Sequence, residues 1–164
     1  MAIRQIQVER FSITSSKPFE DVIAALHRSV GHPDMNEFRK TLGSAKTFAE
    51  LEKAVHSAVG SSDLMEFARF ELGEVLRKRH GAEAPRSLRL IIGNPVTMSQ
   101  MVEHVPDAGS YAPVTILIDE RPGGVHLSYD RMASFLAPYE NAKALHVAQS
   151  LDAKVEALLT VAAD

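Results

Sequence analysis

Between Arg89 and Tyr129 the chain reads RLIIGNPVTMSQMVEHVPDAGSYAPVTILIDERPGGVHLSY, and this stretch limits the fold more than any other. Val114-Thr115-Ile116-Leu117-Ile118 is a β-rich run, and so is Val125-His126-Leu127-Ser128-Tyr129. Pro122-Gly123-Gly124 lies between them, so 113–129 reads as a hairpin. Upstream, Leu90, Ile91 and Ile92 form a short apolar run that Gly93-Asn94-Pro95 stops. A strand is therefore expected at 86–92, with a helix starting at Pro95 and carrying Met98, Met101 and Val102.

The rest of the chain supplies mostly helices. Ile3 to Ile13 reads as a first strand, although its apolar residues do not keep to one face. Phe19, Val22, Ile23, Leu26 and Val30 recur at helical spacing behind Pro18, and Gly31-His32-Pro33 ends that helix. Met35, Phe38 and Leu42 hint at a short helix. Thr47 and Glu50 have the spacing of a capping box ahead of Phe48, Leu51, Val55 and Val59. The stretch from Leu64 to Leu72 fits a strand or a helix by periodicity alone. Gly73 disfavours one continuous helix, because glycine inside a helix costs about 1 kcal/mol. After a short helix at 130–137, a long one runs from Asn141, with Leu145, Ala148, Leu151, Val155, Leu158 and Leu159 as its apolar seam. Its length would suit either packing on its own sheet or contact with a partner subunit.

Strands alternating with helices, plus one hairpin, predict an α/β chain of the two-layer α+β type. The expected sheet is mixed, of about five strands, with helices mainly on one face. No glycine-rich turn follows the first strand, so a dinucleotide-binding fold is a poor match. One domain over residues 1–164 is the default, with a helical insertion at 32–60.

Composition narrows the chemistry. The chain has no Cys, which removes disulfides, thiolate nucleophiles and Cys-ligated metals. Its formal net charge is −3 and its only basic knot is Arg77-Lys78-Arg79-His80, which suits a solvated helix end better than nucleic acid. No apolar run is long enough to span a membrane, and the start of the sequence lacks the apolar core of a secretory signal. A cytoplasmic protein is the expectation. The seven His show no H-x-H or H-E-x-x-H spacing, so no metal or cofactor is expected.

The opening strand and helix around Phe19, the FARFELGEVLRKRHG block, Gly93-Asn94-Pro95, SYAPVTILIDE and GGVHLSYDRM together resemble the DUF302 domain family, whose function is not established. The likeness covers 5–30 and 63–140 well. It implies a compact two-layer fold, often dimeric, and favours a strand at 64–72 followed by a helix at 73–80. Against the common pattern of the family, Glu71-Leu72 stands in place of an Asp-His pair. Tyr111-Ala112-Pro113 stands in place of a Leu-Pro-Cys or Leu-Pro-Leu segment. A histidine and a thiol that other members could use are thus missing here.

Strand ends and the loops after them are the usual ligand sites in such folds. The candidates for ligand binding are Asn94, Tyr111, Tyr129 and Asp119. Those for acid/base work are Glu71, His104 and Asp107. Each has a structural alternative. Asn94 can cap the helix begun at Pro95. Glu71 can pair with Arg89 or Arg69, and His104 can sit at a helix C-terminus. Asp119 can simply be solvated, and the two tyrosines can be edge-of-core packing. Three readings follow: a homodimeric binding or regulatory module for a small anionic or partly apolar molecule, a small acid/base or hydrolytic enzyme using Glu71 with His104 or Asp107, and a structural or protein-interaction domain. The first two require the segments near 71, 94 and 111 to meet at one end of one sheet.

Overall fold

The computed structural model describes residues 3–164. Five strands form one sheet: β1 (Arg10–Ser15), β2 (Met65–Glu71), β3 (Ser87–Gly93), β4 (Val114–Arg121) and β5 (Gly124–Asp130), in the order β1-β5-β4-β3-β2. All four ladders are antiparallel. The mixed sheet expected from the alternation of strands and helices is thus corrected to an antiparallel one, because the helices between strands return the chain in the opposite direction; the parallel pairing found among the described residues is an isolated bridge between Gly31 and Met65. The helices are α1 (Phe19–Ser29), α2 (Met35–Ser44), α3 (Phe48–Ala58), α4 (Leu72–His80), α5 (Pro95–Val102), α6 (Met132–Leu136) and α7 (Ala142–Ala163). None of them is long and apolar enough to cross a membrane.

Alternation along the strands sets the two layers. Val114, Ile116 and Ile118 of β4, Leu88, Leu90 and Ile92 of β3, and Val125, Leu127 and Tyr129 of β5 are buried on one face. There they join Phe19, Val22 and Leu26 of α1, Met101 of α5, and Leu151, Val155 and Leu159 of α7 in the main core. The other face carries the intervening residues, and the register aligns them in rows. Ser12, Ser128, Leu117, Arg89 and Phe70 lie side by side across all five strands. This face is left largely uncovered.

The first strand is shorter than the sequence suggests. Ile3 to Glu9 has no regular secondary structure, and Ile3 is 91% exposed. An apolar segment becomes a strand only where a neighbour completes its ladder, and the pairing of β1 with β5 begins at Arg10 opposite Asp130. The stretch from Leu64 resolves as strand then helix, and the change falls between Glu71 and Leu72.

Residues 32–60 form a helical hairpin, with Phe38, Val55 and Met65 as a small core of their own. Thr47 caps α3 by accepting from the Glu50 N–H, but Glu50 returns its bond to the N–H of Lys46, one residue earlier than a capping box would place it. The hairpin is clasped to the end of α1 by backbone. Gly31 and Gly60 both donate to the Leu64 carbonyl, and a Cβ on Gly31 would fall 1.9 Å from the Ala58 carbonyl oxygen. Only glycine allows the two segments to approach this closely.

Candidate functional site

A cleft of about 440 Å³ opens on the uncovered face of the sheet, toward the end where β4 begins. Its floor is built by strand register. Arg10 on β1 faces Asp130 on β5, Ser128 faces Leu117 on β4, and Leu117 faces Arg89 on β3. Its wall is aromatic: the Tyr111 ring stacks on Phe135 of α6 at 4.7 Å between centroids. Leu72, the first residue of α4, adds an apolar edge.

The two cations of the cleft differ. Arg10 is held by Asp130 through two bonds of 2.6 and 2.8 Å, so its charge is matched. That bidentate geometry also raises its pKa, first through the hydrogen bond and then through the carboxylate charge. Arg89 has no carboxylate within ion-pair distance among the described residues; its guanidinium lies 5.9 Å above the Phe70 ring. The cleft therefore holds one uncompensated positive charge beside an apolar and aromatic surface.

The predicted residues divide around this cleft. Tyr111 lines it with its ring, and its hydroxyl lies 3.3 Å from that of Tyr139. Tyr129 belongs to the floor, but its ring is 1% exposed and its hydroxyl points into the core, donating to Asp152 at 2.6 Å. Burial, and then the neighbouring Asp152 charge, raise the Tyr129 pKa well above the ordinary tyrosine value. Asn94 lies outside the cleft and is fully engaged: Oδ1 accepts from the N–H groups of Val96 and Thr97, and Nδ2 donates to Asp63. It is the cap of α5. Asp119 sits on the open face toward the far end of β4, held by Arg121.

Glu71 does not meet the others. In the antiparallel ladder of β2 and β3, Met65 lies opposite Gly93 while Glu71 lies opposite Leu88. At about 3.3 Å per residue, that puts Glu71 roughly 20 Å from the strand end that leads into Asn94. Tyr111 lies near that same end, because Val114 pairs with Ile92. Glu71 itself does not line the cleft, although its neighbour Leu72 borders it together with Tyr111, and His104 and Asp107 line a different recess. Arg69, offered as a partner for Glu71, bonds instead to Glu66 at 3.1 and 3.0 Å. His104 and Asp107 do share a recess of about 260 Å³ with Arg4 and Tyr139. There the Tyr139 pKa is raised, first by its bond to Tyr111, then by burial and by Asp107. His104 lies 3.4 Å from Glu103. Among the described residues no group of three or more His, Asp or Glu side chains is placed to hold a metal ion.

Several residues of the cleft escaped the sequence reading. Arg10 and Asp130 are 120 positions apart, and nothing local announces their pairing. Ser128 and Leu117 could have been found, because strict alternation in β4 and β5 puts both on the face opposite the core. Asp152, on α7, is wholly buried within an apolar seam. Besides the Tyr129 hydroxyl, it accepts the N–H groups of Met132 and Ala133 at 2.7 and 3.1 Å, and so caps α6 from a distance.

Comparison with known proteins adds the family and the fold. The family model described as "Domain of unknown function DUF302" matches residues 38–162, a span that includes most of the helical hairpin. No curated protein matches. Among solved structures, an uncharacterized conserved DUF302 protein from Bacillus stearothermophilus is similar, with a TM-score of 0.64 and 10% identity over 93% of this chain and 97% of that one. At that identity the likeness speaks for the fold alone. With an antiparallel two-layer fold in common and most of its length matched by the family model, this chain belongs to the DUF302 family of unknown function.

Proposed function

We propose that the chain is a non-enzymatic binding or regulatory module of the cytoplasm that holds a small anionic, partly apolar molecule in the sheet-face cleft. The observation that carries this reading is Arg89, a cation without a carboxylate partner in a recess walled by Tyr111 and Phe135. A guanidinium recognises carboxylate or phosphate with paired donors, and a stacked aromatic wall suits a flat or apolar remainder. The cleft volume, about 440 Å³, falls in the range used for small metabolites. The enzymatic alternative has less support, because Glu71 does not line the cleft and His104 and Asp107 line a separate recess.

The same reading includes a homodimer. Phe70, Leu72, Val75 and Leu76 are exposed large apolar residues within one short stretch at the end of β2 and the start of α4. Such a cluster on a monomer marks an interaction surface. Leu72 also borders the cleft, so a second copy seated there would sit next to the ligand.

Titration calorimetry against a panel of aromatic and aliphatic carboxylates and phosphates tests the binding. The expected result is saturable binding of at least one member, weakened about tenfold or more in Arg89→Gln and less in Tyr111→Ala. No binding across the panel, or binding indifferent to Arg89, would remove the reading.

A further inference from the structure

We infer that the chain carries a second binding site, an apolar cavity of about 240 Å³ at the start of α5, which takes a small uncharged apolar ligand such as a bicyclic aromatic. Leu42 of α2, Phe67 of β2, Met98 and Met101 of α5, Pro113 and Leu151 of α7 supply its walls. It adjoins the cleft through Val114, which borders both, but the other lining residues differ: Tyr111 lines the cleft, and Ala112 and Pro113 line the cavity.

The way the cavity is built argues for a site rather than a packing fault. The ladder between β2 and β3 slips between Glu66 and Ala68, so Phe67 leaves the regular pairing and borders the cavity. Across from it, Gly93 has no side chain, and a Cβ there would come within 3.2 Å of Pro113 Cβ and 3.5 Å of Phe67 Cε2. The bulge and the bare glycine thus bring an aromatic ring and a proline ring together around one point. The thioethers of Met98 and Met101 give walls that adapt to an occupant.

Its polarity decides the class of ligand. Asn94 is the one polar side chain on its border, and both ends of that amide are already bonded, to the start of α5 and to Asp63. Water in the cavity gives up hydrogen bonds that these walls cannot return, whereas an apolar molecule loses nothing. The volume, about 240 Å³ and open to solvent on one side, has room for two fused rings.

The methionines provide the test. Met98 and Met101 border the cavity, while Met132 borders the cleft. With the full chain labelled at its methionine methyl carbons, indole is titrated to its solubility limit and the methyl resonances are followed. The Met98 and Met101 methyls are expected to move together and to saturate, with Met132 unmoved. In Leu42→Trp, a substitution at a partly exposed rim position, the affinity should fall at least tenfold because the new ring occupies the space. Unmoved Met98 and Met101 methyls overturn the inference, as does movement confined to Met132, which would assign indole to the cleft. Undiminished binding by a folded Leu42→Trp chain overturns it too. Should that variant not fold, the titration of the parent chain decides alone. The proposal for the cleft rests on an anionic probe and on Arg89, so either site can fail without the other.

Discussion

Asp152 sits in the apolar seam of α7 with no exposed surface, and what keeps it there is the set of donors it accepts. Asp152→Ala would remove the acceptor of the buried Tyr129 hydroxyl and of the Ala133 N–H, and would leave the Met132 N–H only its bond to the Tyr129 oxygen. The expected loss is about 3 kcal/mol or more in denaturant unfolding, with a smaller loss for Asp152→Asn. Tyr129→Phe removes the bond to Asp152 and the weaker one from the Met132 N–H, which keeps Asp152 as acceptor, and should cost about 1–2 kcal/mol. Tyr129 also sets a pH dependence. Its pKa is raised in the folded protein above the ordinary value of 10.0. Below that value the hydroxyl is protonated in both states and the stability is complete. Above it the unfolded chain loses the proton first, so stability falls as pH rises. Alkaline unfolding should be less steep in Tyr129→Phe when midpoints are compared across that range. Tyr129 was legible in the sequence as a strand-end residue of interest, but its partner was not. A single acid next to Leu151 gives no sign of which distant N–H groups it will cap.

At the scale of elements, local signals served well. Asn94 was read as a ligand-binding candidate with capping of the helix at Pro95 as its alternative role, and it bonds the N–H groups of Val96 and Thr97 as such a cap does. Asn94→Ala should cost about 1 kcal/mol for the cap alone, and it also frees Asp63 from its amide partner. The helical hairpin of α2 and α3 was legible from Met35, Phe38 and the Thr47 cap, but its clasp was not, because the meeting of Gly31 with Gly60 is a tertiary contact. Gly31→Ala would force the backbones apart. Hydrogen exchange should then show faster amides across 35–58 while the β3, β4 and β5 amides keep their protection. The first strand shows where local reading ends. Ile3, Ile6 and Val8 look strand-like, yet the ladder starts at Arg10, because its extent is set by β5, more than a hundred residues away.

For the whole molecule, the sequence conveyed the layers and the strand count but not which loops share an end. That depends on ladder direction, and the antiparallel course of β2 against β3 is what separates Glu71 from Asn94. The cleft and the exposed patch make predictions at this scale. Arg89→Gln should weaken binding of an anionic ligand about tenfold to a hundredfold, the worth of one charge-assisted bond, with little change in unfolding midpoint, because Arg89 is exposed and holds no ion pair. Val75 is 69% exposed, so Val75→Asp should leave stability within about 0.5 kcal/mol, and on the dimer proposed above it should lower the light-scattering mass from that of two chains to that of one, whereas a parent chain that already scatters as one would remove that part of the proposal.

The placement of β1 bears on how the chain reaches this state during synthesis. Its only ladder is with β5, and Ser15 is tied through its hydroxyl to the Ala163 carbonyl at the far end of α7. The earliest strand to leave the ribosome is thus the last to find its neighbours. A nascent chain halted after β5 can close the meander of four strands yet still lack its α7 covering, and contacts this distant in sequence are slow to form. Chaperone dependence should therefore concentrate in that interval, while Phe11 and Ile13 wait for the core against which they come to pack.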